Sequence, residues 1–514
     1  MFVRTVKGRN NEYAIIVRGY RDQNGKSRQK TVQNLGVVTD KNRSEIMAFG
    51  KRLIAQQQGQ EFVTTGEEIV ELSRQNWGGP SVIESMWQKF DLEPLLSKKA
   101  KALKLMLIDR IINPVSKLES YTRRDQYEGF EAIKLQDLYR ALDLLDKKKD
   151  QLKERIFNKQ KLYGKMSVVF FDVTTLYFES QKADDLKEFG YSKDCKFNEV
   201  QIVLSMVINS EGRPLTYEIF PGNTFEGNTL LSHLIQLKKK YNIDKVIIVA
   251  DRGIGSGANL QEIKAAGFDY VVGAKLRSSG KAVKEEAIDP KGYKQLFGSD
   301  KLGDEDIRKY KVMKLKDCTW IALWSGKRAS KDREDRNRLV ARAKEMLASN
   351  QLKDRRGAKK YIQSDKSNHS LDLEKIEQDA RFDGYYALSF SDETMSAEAI
   401  ASAYHGLWKI EESFRTIKSF FEVRPMFHWT AKRISGHIML NFISLVMENN
   451  LLLKLKELTD DVSHNKIRDA IAGMQHSILK IGSKNFASYA TLESLQKIIL
   501  KTLNINQPQN HMIT

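Results

Sequence analysis

Apolar positions change their spacing along the chain, and the changes divide it. From about residue 43 to 160 they recur every three or four residues, over Val82–Phe90, Ala102–Ile112, Leu135–Leu145 and Lys148–Phe157. That spacing predicts helices, interrupted at Asn113-Pro114. At Ser167 the helical period stops. Residues Ser167–Phe178 are β-branched and aromatic, which predicts a strand with Asp172 in its middle. Val200–Ile208 and Leu215–Ile219 read as further strands about the turn residues Asn209-Ser-Glu-Gly212. A helix is expected over Leu230–Tyr241, a buried strand over Val246–Ala250, a short helix over 256–266 and a fifth strand over Tyr270–Ala274. This alternation predicts a mixed α/β sheet flanked by helices.

The flanks are more polar. Residues 1–60 carry short alternating runs at Tyr13–Val17 and Lys30–Val32 about a turn at Asp22–Lys26, which reads as a small basic β-hairpin. Its Arg4, Lys7, Arg9, Arg18, Arg21, Lys26, Arg28 and Lys30 suit either solvated surface or contact with DNA. The helical stretch 61–160 suits DNA binding, dimerisation or bracing of the next domain. Residues 276–383 are highly charged, with apolar runs near Tyr310–Val312 and Trp320–Trp324 and a charged helix near Glu334–Leu347. They look like an insertion, because strand character resumes at Tyr385–Phe390. The sheet domain would then comprise 165–275 and 384–455. A helix apolar nearly all round follows at Ala431–Leu453, and 456–514 reads as a tail of small amphipathic helices.

Just before that apolar helix lies Tyr404–Lys418, YHGLWKIEESFRTIK. As one continuous helix, at about 100° per residue, it would place Tyr404, Glu411, Arg415 and Lys418 on one stripe beside an apolar face of Ala403, Ile410, Phe414 and Ile417. Glu411 would sit at the edge of the buried side, and a carboxylate there is costly to desolvate unless something uses it. By itself the stripe is equally a solvated face of i,i+4 ion neighbours.

Composition narrows the choice. The chain has 514 residues, enough for roughly two to four structural units. Its net charge of +19 favours a polyanionic partner, nucleic acid before an anionic membrane. No uninterrupted apolar run of spanning length and no signal-peptide pattern stand out, so no membrane association is expected. Cys195 and Cys318 are too few for a disulfide framework or a four-cysteine zinc site, which points to a reducing, cytoplasmic compartment.

Asp172 needs a partner for an ionised carboxylate among Phe170, Phe171 and Leu176, or else it is a hydrogen-bonded Asp at a bulge. Asp251 ends a buried strand, where α/β sheets place ligand sites, although a turn ahead of Gly253 would also want it. Gly253-Ile-Gly-Ser-Gly257 lacks the spacing of a nucleotide-binding loop. Two strand aspartates and a helix glutamate can meet at one point and bind hard cations such as Mg²⁺. Two such ions suit phosphodiester displacement, and on so basic a chain DNA is the natural polyanion.

These residues resemble a known family. Phe171-Asp172-Val-Thr-Thr, Val249-Ala-Asp251-Arg-Gly253 and Tyr404…Trp408-Lys-Ile-Glu411-Glu…Phe414-Arg…Lys418 look like the DDE transposases of bacterial insertion sequences, in the branch with a Tyr-x2-Arg-x3-Glu-x6-Lys signature. Tyr404, Glu411 and Lys418 match it, whereas Leu407 stands at the Arg position. Val423–His428 and Arg433…His437 resemble the segment after the Glu, and Thr31–Gly36 has the family's look. The resemblance covers most of the chain from about 165 onward. It implies an RNase H-like fold with an inserted subdomain before the Glu411 helix. Asp172, Asp251 and Glu411 would be the catalytic residues and would hold two Mg²⁺, or Mn²⁺ in their place. Tyr404, Arg415, Lys418, Arg252 and Arg424 would contact DNA, Arg415 standing in for the missing Arg. The implied reaction is cleavage at the element's ends followed by transfer of the 3′-OH to target DNA. Its partners would be double-stranded DNA carrying terminal inverted repeats, target DNA and a second copy of the chain, on a bacterial nucleoid. Two alternatives stay open: a catalytically inactive or domesticated DNA-binding relative, and an RNase H-like nuclease without strand transfer. Trp320 and Trp324 suit core packing better than base stacking, and His428 and His437 suit structural roles.

Overall fold

The computed structural model describes residues 1–9, 11–22, 25–57, 69–163, 167–191, 196, 198–224, 229, 233, 247–296, 308–316, 318–349, 357–365, 368–482 and 484–513. It divides into two compact units: Met1–Arg74 with Ser477–Tyr489 and Gln509–Thr514, and Gln75–His476 with Ala490–Pro508.

In the first unit β1 (Phe2–Lys7), β2 (Glu12–Arg21) and β3 (Ser27–Val38) form an antiparallel sheet in that order. The expected hairpin therefore has a third strand, hidden in the sequence by the charges at Arg4 and Lys7. Ala14, Ile16 and Val17 of β2 and Val38 of β3 are its buried positions among the described residues. The strand β4 (Ile69–Asn76) ends this part of the chain.

The second unit opens with helices at Gly78–Lys89, Ala100–Ile112 and Leu135–Lys161. The last was expected as two helices. Its central Lys147–Asp150 run is polar but made largely of good helix formers, so the backbone continues through it. Then come β5 (Val168–Tyr177), β6 (Gln201–Asn209), β7 (Pro214–Pro221), β8 (Ile247–Ala250) and β9 (Asp269–Ala274). The helix expected at Leu230–Tyr241 lies outside the described residues except for His233, as does Cys195; Cys318 has no disulfide partner among the described residues.

Residues 276–383 do not stand apart from the sheet. Within them β10 (Lys294–Gln295), β11 (Arg308–Lys314) and β12 (Thr319–Ser325) extend it, while β13 (Ile362–Asp365) and β14 (Asn368–Leu371) form a separate hairpin. The helix Gly326–Ala348 packs beside that hairpin around Ala343, Met346, Ala358 and Tyr361. With β15 (Tyr385–Phe390), the large sheet has the order β10-β11-β12-β15-β9-β8-β5-β6-β7. Only the β5–β8 and β8–β9 pairs are parallel. The fold is thus a large mixed sheet flanked by helices. Residues 456–514 are not a purely helical tail: β16 (Gln475–Ile481), β17 (Lys484–Tyr489) and β18 (His511–Ile513) join β4 in a four-stranded sheet.

Period-two alternation along β5 divides its side chains between the faces. Val169, Phe171 and Val173 enter a core with Phe157, Leu260 and Ile263 from helices on one side. Phe170, Asp172 and Leu176 belong to the other face. The helix Ala431–Lys456 is long and apolar enough to cross a membrane by length and composition, but 83% of its most apolar window is buried inside the protein. It crosses the helix Leu135–Lys161 at Gly436, where a Cβ would stand 2.1 Å from the Leu142 carbonyl oxygen. Backbone against backbone leaves no side chain to yield. Gly436→Ala is expected to destabilise by about 1–3 kcal/mol, read as a lower urea midpoint by near-ultraviolet circular dichroism. Gly257→Ala, which meets nothing within 4 Å, should leave the midpoint unchanged or raise it.

Candidate active site

The pairing of β5 with β8 sets the first two carboxylates. Val168, Val169 and Phe170 lie opposite Ile247, Ile248 and Val249. The same register carried two residues further sets Asp172 level with Asp251, just past the end of β8, on strands spaced about 4.8 Å apart. With no partner strand there on the β8 side, the two acids open into a cleft. Each accepts a hydrogen bond from the following backbone amide at 2.7 Å, Val173 for Asp172 and Arg252 for Asp251.

Glu411 arrives from above the sheet. The expected continuous helix over Tyr404–Lys418 is broken: one helix spans Ala397–His405, another Trp408–Arg415, and Thr416–Phe420 is a π-helical turn. The break falls at Gly406, where a Cβ would come 2.5 Å from the Phe170 ring. Glycine thus lets the second helix settle onto the Asp172 face of β5. The stripe calculated for an unbroken helix does not survive the break. Tyr404 and Glu411 both reach the cleft, and Glu411 is exposed there rather than at a core boundary.

Asp172, Asp251 and Glu411 line one cavity of about 310 Å³ with Tyr404, His405, Leu407, Trp408, Tyr386, Arg308 and Arg328. The three acids themselves offer a metal carboxylate oxygen, the donor a hard divalent cation prefers. Among the described residues, however, no three His, Cys, Asp or Glu side chains already converge to ligating distance. The Tyr404 hydroxyl donates to Asp251 Oδ1 at 3.4 Å. It lies over Gly273, where a Cβ would come within 2.7 Å of it. Burial, with the Asp251 carboxylate beside it, pushes the Tyr404 phenol up to about 12.

Sequence reasoning missed Arg308 and Arg328. Arg308 begins β11, opposite the β12 residue Ser325, which caps the helix carrying Arg328. Arg328 stacks on Tyr386 with its guanidinium 4.7 Å from the ring centroid. Nothing local marks either arginine, because only the β11–β12–β15 pairing brings them to the acids. Leu407 lines the cleft where the signature has Arg, so these two arginines bring positive charge to the same cavity. Arg415, Lys418, Arg252 and Arg424 are not among its lining residues. Arg415 is exposed on the Glu411 helix, and Arg424 follows the π-helical turn. Trp324 donates its Nε1 proton to the Asp383 carbonyl and Trp320 packs on a core with Met313 and Ala322.

Two family models match the chain: the transposase DDE domain over residues 163–447 and the IS1634 family transposase N-terminal domain over residues 3–65. No curated protein sequence matches. Among solved structures, a piggyBac transposase synaptic complex with hairpin DNA is similar over 77% of this chain and 76% of that one, with 9% identity and a TM-score of 0.40. Marinitoga piezophila Argonaute in complex with 5′ OH guide RNA is similar over 62% and 64%, with 11% identity and a TM-score of 0.16. Neither likeness is close enough to define the fold.

Because the Tyr404 value lies above that of a free phenol, its stabilising contribution is fully present below pH of about 10 and is lost as pH rises through about 12. Absorbance at phenolate wavelengths can check this. At about pH 10.5 the native chain and Tyr404→Phe should show the same phenolate signal; an excess of one tyrosine in the native chain would contradict it.

Proposed function

The chain belongs to the DDE transposases of insertion sequences, and from that membership we propose that Asp172, Asp251 and Glu411 carry metal-dependent cleavage at the element's ends and transfer of the freed strand to target DNA. The observation that supports this is the shared cleft: acids remote in sequence, from β5, the end of β8 and a helix, open into one cavity beside two arginines. The order of β7-β6-β5-β8-β9, antiparallel on one side and parallel on the other, is consistent with an RNase H-like core.

In this reading water attacks an end phosphodiester, the bond to the 3′ oxygen breaks, and a free 3′-OH results. That hydroxyl then attacks a target phosphodiester, one P–O bond replacing another without a covalent enzyme intermediate. Asp172, Asp251 and Glu411 would hold two Mg²⁺, or Mn²⁺, which when bound supply Lewis-acid charge at the reacting phosphate. The chain's own contribution is orientation. Tyr404, neutral throughout the working range, holds Asp251 by its hydroxyl. Arg308 and Arg328 offer their guanidinium groups to phosphate oxygens, a geometry that fixes register without reading bases. Arg415, Lys418, Arg252 and Arg424 would then contact the duplex outside the cavity. The DNA would carry terminal inverted repeats. Joining two ends calls for two active sites, hence a dimer on DNA, in a bacterial cytoplasm.

Asp172→Asn and Glu411→Gln are each expected to lower Mg²⁺-dependent end cleavage by at least about a thousandfold, while binding to end DNA persists. Native-rate cutting by either would refute the assignment. Arg328→Ala should reduce cleavage by about ten- to a hundredfold and weaken end binding. Pre-cut ends offered with target DNA separate the readings, since a nuclease without strand transfer yields no joined product.

A further inference from the structure

Away from the acid cleft, the segment after the Glu411 helix walls a second cavity of about 450 Å³. The chain contributes Arg110, Lys117 and Tyr139 from one side and Phe427, His428, Trp429, Arg433 and His437 from the other. Its floor is lined by basic side chains and buried. Arg110 and Lys117 are each only 5% exposed and His437 6%. Arg110 donates to the carbonyls of Phe421 and Val115, at 2.7 and 2.9 Å, and its Nε has no partner among the described residues. Nor has His437 Nδ1 a partner among them, and its ring lies 4.6 Å from that of His428. Among the described residues the lining has one carboxylate, the exposed Glu422. Asp109, beside Lys117 and Arg110, is buried and accepts from the Tyr127 hydroxyl at 3.0 Å; burial pushes its carboxyl up, toward the neutral form. Burial and the neighbouring Lys117 and Arg110 push His428 down to about 3. Burial and the neighbouring Arg110 push the Lys117 ammonium well down too, an effect that an incoming anion would reverse.

The mouth is different. Phe427 and Trp429 are 69% and 60% exposed, and Lys187 fixes the Trp429 position by donating to its carbonyl at 3.1 Å. Arg433 stands at the rim over Tyr139, its Nε 3.8 Å from the Asp143 carboxylate, which an arriving phosphate would have to displace. We infer that this pocket receives the phosphomonoester end of a DNA strand, with the phosphate on Lys117 and Arg433 and the terminal base against Phe427 and Trp429. A monoester suits the floor better than an internal diester. It carries between one and two negative charges at neutral pH, on the order of −1.5 to −2, and it needs room on one side only because no chain continues beyond it. Flat aromatic faces at the entrance match a terminal base. The inference rests on the chain acting on DNA, which its family establishes, and not on the chemistry assigned to the acids.

The test uses the full chain in EDTA and short single strands labelled at the 3′ end, ending in either 5′-phosphate or 5′-hydroxyl. The 5′-phosphate strand should bind about tenfold more tightly by fluorescence anisotropy. That preference should vanish in Lys117→Gln, shrink in Arg433→Gln, and survive in Asp172→Asn. Trp429→Ala should weaken the phosphorylated strand while sparing the hydroxyl one. Should Lys117→Gln fail to fold, the two rim variants decide. Thymidine monophosphate should compete more strongly than inorganic phosphate; equal competition overturns the stacked base. Equal binding of the two strands by the native chain overturns the inference, whatever the acid variants do in cleavage.

Discussion

The parallel register between β5 and β8 is the constraint on which the cleft depends. It places two carboxylates level with each other at the point where the hydrogen-bonded ladder stops. Strand ends of this kind are where α/β sheets leave backbone and side chains available to a ligand. Both aspartates are held from behind by the amide of the next residue, so their orientation follows from the backbone that the pairing fixes. A slip of one residue in β5 would turn Asp172 into the core that Phe171 and Val173 occupy.

The third carboxylate depends on missing side chains. Gly406 allows the helix carrying Glu411 to lie against Phe170, and Gly273 leaves room for the Tyr404 hydroxyl over the adjoining strand. The arginines opposite come from β11 and from the helix that β12 leads into, at the far side of the sheet. Strands from the charged stretch between β9 and β15 therefore do more than extend the sheet: they complete the wall that faces the acids. Positive charge enters the cleft from this wall, whereas the sequence signature would have placed it at position 407.

Much of this was legible because it is written locally. The strands from Ser167 to Ala274 are dense in β-branched and aromatic residues, and their ends follow the expected bounds closely. Asp172, Asp251 and Glu411 stood out as acids in or beside apolar runs, and all three line the same cavity. What the sequence could not reveal is non-local. The helix break at Gly406 reflects the Phe170 ring, a residue more than two hundred positions away. Arg308 and Arg328 reach the cleft through strand pairing alone. Gln475–Ile481 and Lys484–Tyr489 carry too short a pattern to announce strands whose sheet includes β4.

That last sheet has a consequence for how the polypeptide comes into being. The first unit draws its strands from both sides of Gln75–His476, the main segment of the second unit. During translation β4 is made well before β16, the strand it pairs with. The nascent first unit must therefore wait, with the edge of β4 uncovered, while some four hundred residues are made. Any premature stop would leave that edge without its partner strands.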